Sequence, residues 1–417
     1  MLLNRDRANA IMDKYEIDGL LAAQKINVYY ITDFPSNTLL VERHFTSFAV
    51  LPRRADAPAG MCIGFGENGR LANMGTWVPN IIAISGRVSP TAANVGPRNR
   101  ELDVDGDPVE RFVFQPGASL TPIEERWAVA ARARVGRFVA TPAEALKRLI
   151  VDAGLEKSRI GTDDPRLIEW LNAMGLDGLT GVDASNIFRE IRMVKSEDEI
   201  SLLRQAATIN EAAVEATIAT IREGATNEEL ERVYMADIAR QGGRGVYILF
   251  GMVAGLRHGH VIRDEPFMVD ALGTYAWYNG DLGRTVIVGE PNAEIEKRND
   301  AMQKGWKAAC EMMRPGVKGS EIVKRVVELV QGEGFSSFNH CVAHTLGLEH
   351  TDHPLPMGID GMGGRADFVV EENMVLNFDM PHIEWGWGSM HLEDTLLITK
   401  DGFEPLTSLK TNLRTVT

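Results

Sequence analysis

The sequence predicts two domains of mixed secondary structure, an α/β domain over residues 1–186 and an α+β domain over residues 187–417. Three observations support this division. Helix-like and strand-like patches alternate through the first part. The second part contains two similar helix–turn–helix units, each accompanied by strand-like segments. Eight of the nine histidines follow residue 257, which places the predicted chemistry in the second domain.

The first domain is built from short elements in alternation. Residues 7–15 are amphipathic and predict a helix. Strands are predicted over residues 18–22, 28–31 and 47–51. Residues 53–110 are rich in Pro, Gly, Asn and Arg, which predicts long loops. The domain ends with a predicted strand, helix and strand, at residues 159–162, 165–174 and 179–182.

Two capping boxes mark helix starts in the second domain. Ser196 and Glu199 precede a long apolar helical face, and Thr226 and Glu229 precede a second helix. In a capping box the two side chains bond each other's backbone N–H groups, so the pattern identifies the first turn. Gly242 and the glycine after it predict the end of the second helix.

A repeated sequence pattern relates this helix pair to a later one. The segments 222–224 and 314–316 each have the form Arg-x-Gly and precede a helix at the same spacing. Strand-like segments follow each pair, at residues 247–252, 267–272, 284–288, 374–378 and 394–398. Two similar halves predict a pseudo-symmetric domain with a site between the halves. The same pattern could also arise only because similar capping residues recur at the helix starts.

Composition excludes several classes of protein. A net charge of −14 repels phosphate backbones and argues against nucleic-acid partners. The sequence contains no run of 18 apolar residues, so it predicts no membrane-spanning helix. The charged N-terminal stretch is not typical of a signal peptide. Cys62, Cys310 and Cys341 are odd in number and far apart, which favours a reducing, cytoplasmic location.

Two aspartates begin the pattern of chemistry-bearing residues. Asp270 and Asp281 lie eleven positions apart, each beside a predicted strand, with glycines between them. A hairpin would bring both carboxylates to one end of a sheet, where they need a cation to stay ionised together. The alternative is a pair of ordinary turn aspartates.

Further candidate ligands follow in the C-terminal part. His340 and His344 have a spacing that indicates metal binding or proton transfer, although two polar core residues would look the same. Asp379 and Glu393 flank a second hairpin-like return, and acids in apolar strands are costly unless paired or bound to a metal. Several carboxylates with one imidazole suit Mn, Fe, Co or Zn.

Taken in order, Asp270, Asp281, His344, Asp379 and Glu393 resemble the ligand series of the pita-bread metallohydrolases. That family includes methionine aminopeptidase, aminopeptidase P, prolidase and creatinase. The segments that carry the resemblance are DALGTYAWYNGDLGRT, HCVAHTLGLEH, MVLNFDMP and HLEDTLLIT. The stretch RANAIMDKYEIDGLLAAQKINVYYITDF is similar to the opening of the creatinase and prolidase branch, so the resemblance covers nearly the whole chain.

The resemblance implies a pita-bread catalytic domain behind a creatinase-type α/β domain, with two divalent metal ions (Mn, Fe, Co or Zn). Asp270 and Asp281 would hold the first ion. Asp281, His344, Asp379 and Glu393 would hold the second. Asp281 and Glu393 would bridge the two ions, which would share a hydroxide.

The resemblance also implies histidines around the substrate, with Glu393 in the catalytic set. His340 would contact the substrate or stabilise the intermediate. His258 or His260 would supply a second substrate histidine. His350 or His353 would supply a third.

The implied activity is hydrolysis of an amide bond in an Xaa-Pro dipeptide or a small amide-like metabolite, by a homodimeric enzyme. The alternatives are a lyase, an amidinohydrolase of the creatine or ectoine type, and a metal-free binding protein on the same scaffold. Retained ligand residues at all five positions, four acids and one histidine, argue against the last of these.

Four departures from the family pattern affect the expected specificity. Three positions carry a different residue from the family pattern: Asp379 replaces a usual Glu, His391 replaces a usual Arg, and Gly283 replaces a usual Thr or Ser. The fourth departure is an insertion at residues 357–365. His391 and the insertion are expected to face the substrate. We therefore expect weaker turnover of Xaa-Pro dipeptides than of a small non-standard amide.

Overall fold

The computed structural model describes residues 1–41, 45–84, 115–252, 254–356, 364 and 366–417. These residues form two compact units, Met1–Ile191 and Arg192–Thr417. Helix α8, which closes the first unit, spans Ser185–Arg192 and so contains both this division and the expected domain limit at residue 186. Most of the predicted insertion at 357–365 lies outside the described residues, as does the second half of the predicted loop region at 53–110.

The first unit is a mixed sheet with helices between its strands. Its other helices are α1 (Arg5–Lys14), α2 (Lys25–Thr32), α3 (Asn37–Leu40), α4 (Asn68–Met74), α5 (Pro122–Arg132), α6 (Pro142–Asp152) and α7 (Arg166–Ala173). Its strands are β1 (Gly19–Ala22), β2 (Ala49–Pro52), β3 (Gly60–Gly64), β4 (Asn80–Ile84), β5 (Phe138–Val139), β6 (Arg159–Thr162) and β7 (Thr180–Asp183).

The strands of the first unit lie in the order β5-β4-β3-β2-β1-β6-β7. Strand β2 is antiparallel to β1 and to β3, whereas the other neighbours are parallel. The strand predicted at residues 28–31 is wrong, because this segment belongs to α2. All residues from Asn27 to Thr32 are buried, and a short helix buried on every side shows the same continuous apolar run as a buried strand.

In the described residues of the second unit, four helices pack on one large sheet. The helices are α9 (Glu197–Ile218), α10 (Asn227–Arg240), α11 (Ala293–Met312) and α12 (Gly319–Gly332). The strands are β8 (Arg244–Gly251), β9 (Phe267–Tyr275), β10 (Tyr278–Val288), β11 (Val342–Thr345), β12 (Val375–Glu384), β13 (Gly388–Thr399), β14 (Gly402–Pro405) and β15 (Arg414–Val416). Six strands run in the order β11-β12-β13-β10-β9-β8, while β14 pairs with β13 and β15 with β10.

Each half of this sheet carries its own helix pair. Helices α9 and α10 share one apolar core with β8, β9 and β10, and α11 and α12 share another with β11, β12 and β13. Both capping boxes predicted for the first pair are present, at Ser196 with Glu199 and at Thr226 with Glu229. The second unit therefore has the expected two-half arrangement, with one face of a single sheet covered by helices.

Two glycines allow the first helix pair to approach the sheet closely. Gly273 and Gly280 oppose each other across β9 and β10. A Cβ atom on Gly280 would lie 2.5 Å from the backbone oxygen of Ala206 in α9, and one on Gly273 would lie 2.2 Å from the side chain of Ile238 in α10. A side chain at Gly280 would require movement of the α9 backbone, and one at Gly273 would require displacement of the Ile238 side chain.

Two sets of buried charges in the second unit are paired. Arg284 donates to a carboxylate oxygen of Asp394 at 2.6 Å. Asp352 accepts hydrogen bonds from Arg192 at 2.8 Å and from Lys195 at 3.0 Å. Because both sets are fully enclosed, they hold the ends of their strands and loops in one arrangement. Among the described helices, none combines the length and the apolar character that a membrane span requires.

Candidate metal centre

The register of the large sheet brings the predicted acids to one face. Asp270 opposes Gly283, Gly283 opposes Glu393, and Glu393 opposes Asp379. Residues directly opposite each other in antiparallel strands point to the same face of a sheet. Asp281 precedes Gly283 by two positions and so shares that face. Four strands thus contribute one carboxylate each.

His344 joins the same face from strand β11. It lies two positions after Val342, which opposes Asp379. The intervening residues point the other way, as the strand alternation requires. Ala271, Leu282, Ala343, Phe378 and Leu392 all belong to the apolar cores under the helices. The helix-covered face is therefore apolar, and the opposite face carries the acids and the imidazole.

Among the residues that the structure describes, the side chains on this face form two groups that could each hold a metal ion. One group is Asp281, His344 and His350, and the other is Asp270, His391 and Glu393. Within each group the candidate ligand atoms lie within 4.8 Å of one another. His344 Nδ1 lies 2.8 Å from the backbone oxygen of His350, which as acceptor fixes the proton on Nδ1 and makes Nε2 the nitrogen that could bind a metal.

Unsatisfied buried oxygen atoms show that the cluster suits a cation. Asp281 is 1% exposed, and neither of its carboxylate oxygens accepts a well-aligned hydrogen bond within the described residues. His350 Nε2 lies 3.1 Å from Asp281 Oδ2, so the one close contact is itself an imidazole. Glu393 Oε2 likewise has no hydrogen-bond partner in the described part of the chain. Buried carboxylates without partners are costly unless an ion binds them.

Burial and mutual repulsion alter the pKa values of these acids. Desolvation raises the pKa of Asp270 to about 7, and the charges of Asp281 and Asp379 add to this effect. Desolvation also raises the pKa of Asp281, and it raises that of Glu393 well above its usual value. Without a cation the cluster therefore retains protons at neutral pH.

Asp379 differs from the other acids because His391 contacts it. His391 Nε2 donates a hydrogen bond of 2.6 Å to Asp379 Oδ1. Burial works against ionisation of Asp379, yet this hydrogen bond and the positive charge of His391 keep the pKa of Asp379 below its usual value. Asp379 is in neither of the two ligand groups. His391 was expected to face the substrate, but the residue is 2% exposed and its ring lies among the carboxylates.

Gly283 provides the space that His391 occupies. A Cβ atom at residue 283 would lie 2.4 Å from Cε1 of the His391 ring and 2.5 Å from its Nδ1. The ring therefore lies over the backbone of β10, at the register position between Asp270 and Glu393. Two of the departures noted in the sequence, at residues 283 and 391, are thus one structural feature.

The other predicted histidines lie in different surroundings. His258 is exposed and pairs with Glu265 at 3.2 Å, and His260 is exposed near Thr226. His340 is exposed at the start of the segment that leads into β11. His353 is buried against the ring of Phe368 and accepts a hydrogen bond from the backbone of Thr345. Of the two alternatives at the third histidine position, only His350 enters a ligand group.

Tyr247 belongs to the same face and was missed in the sequence. It opposes Leu272, which in turn opposes Asp281, so its phenol ring points to the side of the acids. Burial raises the pKa of Tyr247, and the charges of Asp281 and Asp270 raise it further. Strand alternation could have identified Tyr247, but only once the register of β8 against β9 was known.

Comparisons with known proteins agree with this geometry. Residues 201–400 match metallopeptidase family M24. An Xaa-Pro dipeptidase of Pyrococcus horikoshii is 29% identical over 242 residues, which cover 55% of this chain and 66% of that relative. An uncharacterised peptidase of Staphylococcus aureus is 26% identical over 54% of this chain and 65% of its own length. The matches thus span about two thirds of these curated relatives.

Solved structures share the fold over nearly the whole chain. The X-Pro aminopeptidase of Thermotoga maritima has a TM-score of 0.70 at 19% identity, covering 98% of this chain and 100% of its own. The prolidase of Pyrococcus furiosus has a TM-score of 0.66 at 19% identity, covering 96% and 99%. These likenesses show the fold, a pita-bread domain preceded by an N-terminal α/β domain.

Proposed function

We propose that this chain, whose residues 201–400 match metallopeptidase family M24, is a metal-dependent hydrolase of dipeptides, with Xaa-Pro dipeptides as the leading substrate class. One observation carries the proposal. Carboxylates from four strands and the imidazole of His344 share one sheet face, and several of their buried oxygens have no hydrogen-bond partner among the described residues. The name of the Pyrococcus horikoshii relative supports the substrate class.

Asp281, His344 and His350 would hold one ion, and Asp270 and Glu393 would hold the other. Asp379, which the family resemblance includes among the ligands, would complete the centre from β12. Ions in such a site supply Lewis-acid polarisation of a carbonyl and a water molecule acidic enough to ionise near neutral pH. Mn, Fe, Co and Zn all fit a ligand set of carboxylates and imidazoles.

The protein's own groups have distinct parts in the reaction. Burial raises the pKa of Glu393, and one of its oxygens has no partner within the described residues, so Glu393 can accept a proton from water and return it to the leaving amine. The side chain of His350 is 38% exposed and touches Asp281, so it is the imidazole of the cluster that a substrate can reach. His340, His258, His260 and His353 stay candidates for substrate contact.

The test is a metal-dependent peptidase assay on protein purified without added metal. We expect about two divalent ions per chain after loading, and hydrolysis of Xaa-Pro dipeptides with Mn, Co, Zn or Fe. Asp281→Asn should lose both metal and at least about 100-fold in kcat/KM, because Asp281 is the most enclosed of the ligand carboxylates. Asp401→Asn, at an exposed turn, is the matched control and should change neither.

The alternatives predict different results in the same assay. A lyase or an amidinohydrolase would bind metal but leave every dipeptide intact. A metal-free binding protein would contain no divalent ion and would bind none on loading. Full metal content and activity in Asp281→Asn would contradict the proposed centre itself.

We also propose a homodimer in the cytoplasm, supported by the family resemblance and by the spacing of the three cysteines. Light scattering at micromolar concentration should give twice the chain mass of 45.9 kDa. A monomeric mass would contradict the dimer without affecting the metal centre.

A further inference from the structure

The imidazole of His391 lies inside the carboxylate cluster. Its Nε2 atom is 2.6 Å from Asp379 Oδ1 and 3.5 Å from Glu393 Oε2. A ring nitrogen of His391 also lies within 4.8 Å of candidate ligand atoms of Asp270 and Glu393. No other imidazole in the described part of the chain belongs to that group.

The backbone beneath the ring holds it there. Gly283 stands between Asp270 and Glu393 in the register, and a Cβ atom at this position would lie 2.4 to 2.7 Å from three ring atoms of His391. The ring thus occupies the volume of the missing side chain. With 2% of the residue exposed, the ring has little freedom to leave the cluster.

The hydrogen-bonding state of the ring leaves one nitrogen available. Metal binding requires the neutral form of the ring, which has lost one proton and carries one N–H and one lone pair. The N–H at Nε2 serves Asp379, while Nδ1 is buried without a hydrogen-bond partner among the described residues. An imidazole that donates one N–H to a carboxylate and presents its other nitrogen is the usual arrangement of a metal-binding histidine.

We propose that His391 is a metal ligand, which supplies a ring nitrogen to the ion held by Asp270 and Glu393 while Asp379 orients the ring. This inference rests on the proposed metal centre and deepens it. Each of the two ions then has at least one nitrogen ligand, His344 on one side and His391 on the other. Imidazole in both positions favours Zn, Co or Fe over ions that prefer oxygen ligands alone.

Proton NMR of the protein loaded with two equivalents of Co²⁺ tests this directly. Each imidazole bound to Co²⁺ gives a strongly shifted, solvent-exchangeable N–H signal, so the bound rings can be counted. We expect His391→Gln to lose one such signal relative to the unsubstituted protein. His391→Ala, whose smaller side chain also fits above Gly283, should lose the same signal and guards against misfolding of the first variant.

His382→Gln is the matched control. His382 is also buried in the β12–β13 hairpin, but it donates to Glu384 and belongs to neither ligand group. This variant should keep every shifted signal. If both His391 variants keep them all, His391 is a positioning residue for Asp379 and the proposal is overturned.

The number of shifted imidazole signals does not depend on any substrate. A negative result for His391 can therefore be distinguished from failure of the proposed function. A protein that binds Co²⁺ and loses a signal in the His391 variants supports the ligand whether or not it hydrolyses dipeptides. A protein that binds no Co²⁺ overturns both this inference and the metal centre. A second readout is competition between Zn²⁺ and Mn²⁺ for the centre. In His391→Gln the affinity for Zn²⁺ relative to that for Mn²⁺ should fall at least about tenfold.

Discussion

At the scale of single residues, the register between strands decides which side chains belong to the proposed centre, and proximity in sequence does not. Glu393 and Asp394 are neighbours, yet they point to opposite faces of β13. Glu393 joins the acid cluster, whereas Asp394 is neutralised by Arg284 under the helices. Two adjacent acids therefore have separate roles, and strand alternation assigns them.

Asp352 shows how a buried acid is retained away from the cluster. Burial alone would raise the pKa of Asp352, but the charges of Arg192 and Lys195 lower this pKa to about 2. Its ordinary value of 3.8 applies in the unfolded chain, so the folded state gains stability above about pH 4 and loses it as the pH falls toward 2. The shift corresponds to about 2 kcal/mol at neutral pH.

We predict that Asp352→Asn lowers the free energy of unfolding by about 3–5 kcal/mol at pH 7, because two cations remain buried without their carboxylate. Urea unfolding of the metal-free proteins between pH 7 and pH 2.5 measures this. The difference between the two proteins should narrow below pH 4, where Asp352 begins to bind a proton. A difference that is constant over this range would contradict the assigned pKa.

At the scale of elements, the packing of α9 and α10 on the sheet depends on two positions without side chains. Gly280 faces the backbone of α9, and Gly273 faces the side chains of α10. Here the obstacle at Gly280 is main chain, which cannot rotate away as a side chain can. The distance between helix and sheet is therefore set by these glycines.

We predict that Gly280→Ala destabilises the protein by about 1–3 kcal/mol, since the new Cβ atom would force α9 away from β10. Gly332→Ala is the control, because Gly332 ends α12 and a methyl group there would meet no described atom within 4 Å. That change should be neutral or slightly stabilising. Thermal unfolding of both variants gives the comparison, and equal midpoints would contradict the close approach.

The same scale shows which elements the sequence could predict. The starts of α9 and α10 follow from capping boxes, whose partners lie three residues apart, so local sequence contains the whole signal. The segment at residues 28–31 was assigned wrongly because continuous burial hides the helical period. The ligand acids were recognised through motifs, but their common face and the position of His391 depend on the pairing of β10 with β13, which sequence spacing does not reveal.

At the scale of the whole second unit, the proposed metal centre takes its residues from both halves. Asp270 and Asp281 come from the half that contains α9 and α10, and His344, Asp379 and Glu393 come from the other half. Burial raises the pKa of Asp270 to about 7 and raises that of Asp281 and Glu393 as well, so the metal-free centre holds protons that an ion must displace.

We therefore predict that metal binding releases protons and weakens as the pH falls below about 7. Calorimetric titration with Zn²⁺ in buffers of different ionisation enthalpy counts the released protons. Asp401→Asn should release as many as the unsubstituted protein. Binding that is independent of pH between 6 and 8 would show that the acids are already ionised without metal.

The division of the ligands between two halves also has a consequence for the order in which the chain folds. Strands β9 and β10 are joined by a short turn, so their pairing needs little loop closure. Arg284 and Glu393 are 109 positions apart, and bringing β10 to β13 requires closure of that long loop. The complete ligand set exists only after this late, non-local step. A folding chain would thus complete the proposed metal site last, and metal uptake would report completion of the sheet.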